Sequence, residues 1–256
     1  WLGESPGRTR ELSQYVSKIR ELVNQAIKHE DKDSALLHLI SNCRMTGDAA
    51  QQIIKYIEEG KAVLGEEATL ERVILERFFD SEGGMQLVIH APFGAKINKA
   101  WGLALRKKFC KRFNLELQAS ATNDGINISL TGHHSFPLED VYQFLSPETA
   151  MQVLEQTGLA SALFTTRFRW DSNRSLSLLK FDKGRKVPPL IQKMRAEDML
   201  IAIFPKAAAC QENVVGPIEI PDHPLINEVM KDVLTEAMDA EGFIDVLTKM
   251  RDGSIE

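Results

Sequence analysis

Between residues 167 and 195 the sequence places nine basic residues, Arg167, Arg169, Arg174, Lys180, Lys183, Arg185, Lys186, Lys193 and Arg195, against two acids, Asp171 and Asp182. Nine minus two leaves a local excess of +7 in a chain of net charge −5. Cations gathered against the global sign make a surface for a polyanion, and phosphate is the matching chemistry. The plainer alternative is a solvated basic helical hairpin with no ligand, the usual fate of a charge run. A second set, Lys96, Lys99, Arg106, Lys107, Lys108, Lys111 and Arg112, falls on one expected helix with no acid between its members. The aromatics interleaved there, Trp101, Phe109 and Phe113, have the spacing of a buried stripe and read as core before they read as stacking platforms. Trp1 is different. It stands beside Gly3 and a Ser5-Pro6-Gly7 turn with no periodic partner to bury it, and such an aromatic near cations is suited to stack on a base of a single strand.

Other chemistry finds little support. No GxxxxGK[ST] phosphate loop, no acidic motif after a strand and no GxGxxG opening a helix is present, so these residues carry no ATP site. HExxH, paired-cysteine and GxSxG patterns are missing too. His133-His134 is the one close histidine pair and lacks an evident third ligand, so a surface turn is the better reading than a metal site. Glu197 and Asp198 are neighbours on an expected helix and point about 100° apart, which suits charge balance rather than acid–base work. Asn123 and Asn173 have weak claims. From residue 212 the sign reverses, with eleven acids against Lys231, Lys249 and Arg251. That face would repel a nucleic acid and is expected to point away from it or to meet a basic neighbouring domain.

The elements that would position these groups follow from periodicity. Apolar residues at Leu12, Val16, Ile19, Val23 and Ile27 predict a helix over 10–29, capped by Thr9. Asp33 and Asp48 are placed to cap two more, the first with Leu36, Leu37, Leu39 and Ile40, the second with Ile53, Ile54, Ile57, Val63 and Leu64. The period then changes. Residues 69–79 and 85–93 alternate and are β-branched or aromatic, with Gly83-Gly84 in the turn between them, so they predict a hairpin. A helix over 96–114 follows. Two further strands, 115–121 and 126–130, flank Asp124-Gly125, a strong hairpin signal. Beyond Pro137 all reads as helix: 138–145, 147–157, 160–181, 189–204, 225–238 and 241–250. The basic loop DKGRK joins two of these helices, Pro188-Pro189 stand where the second begins, and residues 206–224 read as an irregular connector.

These patterns predict an α+β fold, mostly helical with a small antiparallel sheet of about four strands, and one domain over 1–256 made of a helical lead-in (1–64), β-hairpins with a helix (69–131) and a helical part (137–256). At 256 residues and 43% hydrophobic composition the chain can bury a substantial core. Its three cysteines, Cys43, Cys110 and Cys210, are odd in number and widely spaced. They read as reduced thiols in a cytoplasmic protein, neither a disulfide framework nor a zinc site. No apolar run approaches the length of a membrane span and no signal peptide is seen. The chain opens on Trp rather than Met and reads as part of something longer.

Taken as a set, WLGESPGRTRELS, GGMQLVIHAPFGAKINKAWGLAL, TNDGI, ALFTTRFRW-x-x-NRSL, KVPPLIQKMRAEDML and CQEN-x-x-G-x-x-EIPDHPL resemble the large helicase-related family of superfamily 2 helicases, in its bacterial branch and its DEAD/H-associated region. The likeness runs in order along essentially the whole chain. It implies that two RecA-like motor domains and a winged helix precede this region and close with it around single-stranded DNA. It further implies ATP-driven 3′-to-5′ translocation and unwinding of duplexes, including RNA–DNA hybrids, with a part in DNA repair. Trp1, ahead of a Gly-Glu-x-Pro-Gly-Arg turn that ends in Arg8, matches the tryptophan that stacks on a DNA base in that family. The helix bearing Arg167, Arg169 and Arg174 would line or brace the DNA channel. The motor and most of the winged helix are missing here, so these residues alone cannot hydrolyse ATP.

The reading is therefore an accessory domain that guides the tracking strand of an ATP-dependent helicase, with Trp1, Arg8, Lys96, Lys99, Arg167, Arg169, Arg174, Arg185, Lys186 and Arg195 as the candidate nucleic-acid-binding residues. No catalytic or metal-ligating residue is expected. No cofactor is expected in this region, and ATP with Mg belongs to the motor domains of the parent protein. The expected partners are single-stranded DNA or an RNA–DNA hybrid, and the motor and winged-helix domains, with no membrane. The rival reading is a structural brace that packs on those domains and touches little nucleic acid.

Overall fold

The computed structural model describes residues 7–113, 117–130, 138, 140–208 and 216–256. Trp1, His133, His134 and Cys210 lie outside the described residues, as do the side chains of Lys111, Arg112 and Phe113. The fold is α+β. Its described residues fall into two compact units, one within Trp1–Leu145 with Asp245–Glu256, the other within Ser146–Ile244.

The first unit opens with α1 (Arg10–Lys28), α2 (Lys32–Ser41) and α3 (Gly47–Leu64). Thr9 caps α1 as expected, its hydroxyl accepting from the Leu12 amide at 3.2 Å. The other caps lie two residues earlier than the sequence implies: Asp31 accepts from the Ser34 amide and Thr46 from the Ala49 amide. Asp33 and Asp48 sit instead in the first turns, where acids suit the helix dipole. The three helices share a core of Val23, Ala35, Leu39, Ala50, Ile54 and Ile57. On α1 the expected stripe holds at Val23, with Ile19 and Ile27 packed against the same core, and is corrected at its start. Leu12 is 51% exposed, and the buried positions are Ser13, Ser17, Val23 and Asn24. This face is polar because it meets backbone and charge. The Ser17 hydroxyl accepts from the Leu70 amide at 2.8 Å, and Arg20 reaches Glu67 at 2.8 Å and Asp124 at 3.2 Å. Burial pushes the Glu67 carboxyl up, and Arg20 pulls it back.

One antiparallel sheet follows, built from β1 (Ile74–Phe79), β2 (Met85–His90), β3 (Leu117–Ala121) and β4 (Gly125–Leu130) in the order β1-β2-β4-β3. The strand expected from residue 69 begins at Ile74. Residues 69–73 are held otherwise: Thr69 and Arg72 pair as a turn, and Glu71 and Val73 bond the backbone of Glu256. Asp80 closes the first hairpin by accepting from the amides of Glu82 and Gly84 at 3.0 and 2.8 Å, bonds that together with one from Gln86, the largest, hold its carboxyl below the usual range. Along β2 the alternation is clean, with Met85, Leu87 and Ile89 buried. The helix α4 (Ala95–Phe113) packs on β3 and β4. Trp101, Leu105 and Phe109 are buried as expected of core residues, and Phe109 meets Phe144 edge-on at 4.9 Å, just after α5 (Asp140–Gln143).

The second unit is mostly helical: α6 (Pro147–Leu159), α7 (Ala162–Arg174), α8 (Pro189–Ile203), α9 (Pro205–Ala208) and α10 (Pro224–Asp232); α11 (Ala240–Arg251) begins in this unit and the rest of it, from Asp245, is counted with the first. Phe164, Phe168, Phe204, Ile226, Val229 and Val233 form its core, and Phe164 meets Phe204 edge-on at 6.2 Å. The helix expected over 225–238 breaks into α10 and a π-helical turn, Val233–Ala237. Gly158 explains how closely α6 passes this turn: a Cβ there would lie 2.9 Å from Val233 Cγ1. In the stretch expected to be irregular, Gln156 clasps Ile218, its amide donating to the carbonyl and accepting from the N–H, both at 2.8 Å.

The helix expected over 160–181 ends at Arg174. Leu176 adopts φ +59°, and the Leu178 amide turns back to the Ser172 carbonyl at 2.9 Å. The basic loop is a β-hairpin, with β5 (Phe181–Asp182) and β6 (Arg185–Lys186) paired antiparallel. Lys183 and Gly184 form its turn with φ +48° and +75°, the left-handed pair that a tight two-residue hairpin requires.

Candidate nucleic-acid interface

The candidate residues divide between the two units, and each set has its own surroundings. In the first, Arg8 precedes α1, and Lys96 and Lys99 sit in the first turns of α4. Arg8 is knitted into the fold. Its guanidinium donates to the Asp124 carboxylate at 2.6 Å, the Asn123 carbonyl at 3.1 Å and the Ser13 hydroxyl at 3.3 Å. The Asn123 side-chain oxygen accepts from the amides of both Arg8 (2.9 Å) and Ala95 (3.2 Å), so one turn residue ties the lead-in to the start of α4. Gly94, at φ +102°, is needed beside it, since a Cβ would come within 2.9 Å of the Arg8 carbonyl. Lys96 and Lys99 are half-buried, at a helix start that has no acid in its first turn.

The second unit carries Arg167, Arg169, Arg174, Arg185, Lys186 and Arg195. Arg167 lies 4.8 Å over the ring of the exposed Trp170, a cation–π pair. Arg169 and Lys193 line a cavity of about 270 Å³ with Thr165, Thr166 and Glu197. Lys193 is 3.7 Å from Glu197 on the next turn of α8, so Glu197 balances charge as its position implies.

Arg174 is held by two carboxylates. It donates to Asp171, one turn earlier, and to Asp232 at the end of α10. Both acids are buried while the arginine side chain is 61% exposed. Burial pushes the Asp171 carboxyl up, Arg174 draws it down, and Asp232 raises it again. The Asp171 and Asp232 bonds, in that order, hold the guanidinium more firmly protonated. Arg174 is thus a largely neutralised anchor between α7 and α10.

Arg185 and Lys186 form the second strand of the hairpin, and both are exposed. Arg195 approaches Asp182 at 4.0 Å. The hairpin therefore presents Lys180, Lys183, Arg185 and Lys186 against one acid, Asp182, the arrangement suited to a phosphate backbone, while the α8 cations Lys193 and Arg195 each stand within 4.0 Å of an acid.

Most of the described acids after residue 212 are exposed, and several are tied to partners of their own. Asp232 holds Arg174, Asp239 accepts from the Gly242 amide at 2.8 Å, Asp252 accepts from the Ser254 amide at 2.9 Å, and Asp245 binds Lys249 at 3.0 Å and also Arg10. Among the described residues no group of three His, Cys, Asp or Glu side chains is placed to hold a metal, and no helix is long and apolar enough to cross a membrane.

The family model described as DEAD/H associated matches residues 68–256. The chain belongs to the DEAD/H associated family. Its relatives of known name are longer proteins. It is 24% identical over 243 residues to the ATP-dependent helicase Lhr-Core of Sulfolobus acidocaldarius, covering 94% of this chain and 26% of the relative. It is 26% identical over 258 residues to the Lhr helicase/probable uracil glycosylase of Mycolicibacterium smegmatis, covering 98% and 15%, and 24% identical to the Lhr helicase/uracil glycosylase of Escherichia coli, covering 100% and 15%. The chain thus spans well under a third of each of them. Among solved structures, that of Mycobacterium smegmatis helicase Lhr bound to ssDNA and AMP-PNP superposes with a TM-score of 0.77 at 21% identity, over all of this chain and 30% of that one. At that identity the likeness speaks for the fold.

Proposed function

We propose that this family member is the strand-guiding accessory region of an ATP-dependent superfamily 2 helicase. The exposed cations of the hairpin and α8 hold the backbone of single-stranded DNA, while motor domains elsewhere in the parent protein bind ATP with Mg and do the pulling. The observation that carries the reading is the cation-rich hairpin, Lys180, Lys183, Arg185 and Lys186 against Asp182 alone, in a chain of net charge −5. Support comes also from the relatives, which are named helicases, and from a structural neighbour bound to ssDNA. With the reading go 3′-to-5′ movement, action on duplexes or RNA–DNA hybrids, a part in DNA repair and a cytoplasmic place. Trp1 completes the grip as a base-stacking residue, and Arg8 and Arg174 act as positioning residues.

A brace on the motor and winged-helix domains is the second reading. One observation favours it: Leu190, Met194 and Ile201 form an exposed apolar stripe along one side of α8, the kind of face that a protein partner covers.

The test is the salt dependence of binding to labelled single-stranded DNA. Arg185→Ala with Lys186→Ala should weaken all sequences about equally. Each lost phosphate contact should flatten the slope of log affinity against log salt by roughly 0.7 to 1. Unchanged affinity and slope would favour the brace.

A further inference from the structure

We infer that Phe181 is a base-stacking residue, and that Phe181 and Lys186 together form one contact site for a nucleotide of a single strand. The inference rests on the strand-guiding reading and adds an aromatic that the pattern of basic residues does not reveal. Phe181 is 61% exposed, although it stands on a strand held in place at both ends. On one side the Val187 amide bonds the Lys180 carbonyl at 2.8 Å with Val187 buried, and on the other the Lys183-Gly184 turn reverses the chain.

Register decides what accompanies the ring. Phe181 pairs with Lys186 and Asp182 with Arg185. Cross-strand partners project to the same face of a ribbon, and successive residues project to opposite faces. The Asp182–Arg185 face is the one engaged by the rest of the unit, through Arg195 at 4.0 Å from Asp182. The other face presents an aromatic ring and an ammonium side by side.

That pairing fits one nucleotide. A base offers a flat surface to a ring whatever its identity, and its own phosphate offers the charge for the ammonium. The polyanion is favoured over an apolar protein surface because the residues around Phe181 are Lys180, Lys183, Arg185 and Lys186 with one acid, Asp182. An apolar partner would leave those cations desolvated and unpaired.

The experiment uses the full-length protein carrying Phe181→Leu, Phe181→Trp or Lys186→Ala. Each is titrated with two labelled strands of equal length, oligothymidine and an abasic deoxyribose-phosphate chain. Leucine keeps most of the apolar bulk and removes the ring. The expected result is about tenfold weaker binding of Phe181→Leu to oligothymidine, with binding to the abasic strand unchanged. Phe181→Trp should hold near wild type, and Lys186→Ala should weaken both strands. An unaltered melting temperature is expected for the leucine variant, since the ring is exposed. Phe181→Leu equal to wild type on oligothymidine, or equally weakened on both strands, would overturn the stacking role. If the Arg185/Lys186 double variant still flattens the salt slope in that case, the strand-guiding reading stands and Phe181 alone has failed. If it does not, both fall.

Discussion

Asp232 accepts a hydrogen bond from Arg174 across 58 residues of sequence, and so fastens the last turn of α10 to the last turn of α7. With Asp171 on the same guanidinium, one arginine compensates two buried carboxylates. Arg174→Ala leaves both uncompensated. Breaking a buried pair costs about 3–5 kcal/mol, and the exposure of Arg174 lowers that to about 1–3. The pH dependence has a definite sign. Asp171 is raised in the folded state, so its contribution is fully present below the ordinary carboxylate range and is lost as pH rises through the raised value. Without Arg174 the value rises further. The cost of the substitution should therefore be smaller at about pH 4 than at neutral pH, as read by urea denaturation at the two conditions. A cost independent of pH would mean that packing, rather than the charge network, dominates.

Asn123 offers a second test, in the first unit. Its side-chain oxygen serves two backbone amides, those of Arg8 and Ala95. Asn123→Ala strands both and should cost about 1–3 kcal/mol. Hydrogen exchange at the Arg8 amide should quicken far more than at Leu87 or Ile89 in the middle of the sheet. Equal acceleration at all three would show that the residue supports the whole unit and not the lead-in alone.

The sheet was legible in the sequence because β2 is buried on one face and alternates without exception, and because Asp124-Gly125 reports its own turn. α4 was legible through Trp101 and Phe109. What escaped the pattern did so for physical reasons. Besides Val23, the buried positions of α1 are Ser13, Ser17 and Asn24, and polar positions have no apolar period. Leu176 and Leu179 continue the helical spacing of Phe168 and Ser172 yet are exposed, so apolarity extended α7 past its end. The hairpin in the basic loop hinges on Lys183 adopting a conformation usually left to glycine. The candidate cations were visible as a cluster, but not all of their partners were. Asp171, one turn before Arg174, was a local sign of its pairing, but Asp232 reaches Arg174 only through the tertiary fold.

The approach of α6 to the π-helical turn can be tested by a pair of substitutions. Gly158→Ala puts a methyl 2.9 Å from Val233 Cγ1, and overpacking of this kind costs about 1–3 kcal/mol. Val233→Ala opens space at the same spot and carries its own cavity cost. The double variant should be more stable than the sum of the two predicts, with a coupling of at least about 0.5 kcal/mol in a denaturation cycle. Simple additivity would mean that the helices move apart instead of clashing.

The last prediction concerns an increase in binding rather than a loss. Asp182 is the one acid within the hairpin, paired in register with Arg185 and 4.0 Å from Arg195. In the free protein it offsets part of the charge of both. Exposed pairs of this kind are worth little to stability, so Asp182→Asn should leave the melting temperature within about a degree or two of wild type. For a polyanion the effect is larger, because the carboxylate repels phosphate and competes with it for the two arginines. Asp182→Asn should tighten binding to single-stranded DNA several-fold at low salt. It should also steepen the slope of log affinity against log salt by up to about 0.7, the value for one further phosphate contact on a single strand. Glu82→Gln, which removes an exposed acid from the turn between β1 and β2, controls for net charge alone and should change neither quantity by as much. If the two variants behave alike, the strand responds to the overall charge of the chain and not to the hairpin. If Asp182→Asn has no effect while Glu82→Gln tightens binding, the interface lies on the first unit.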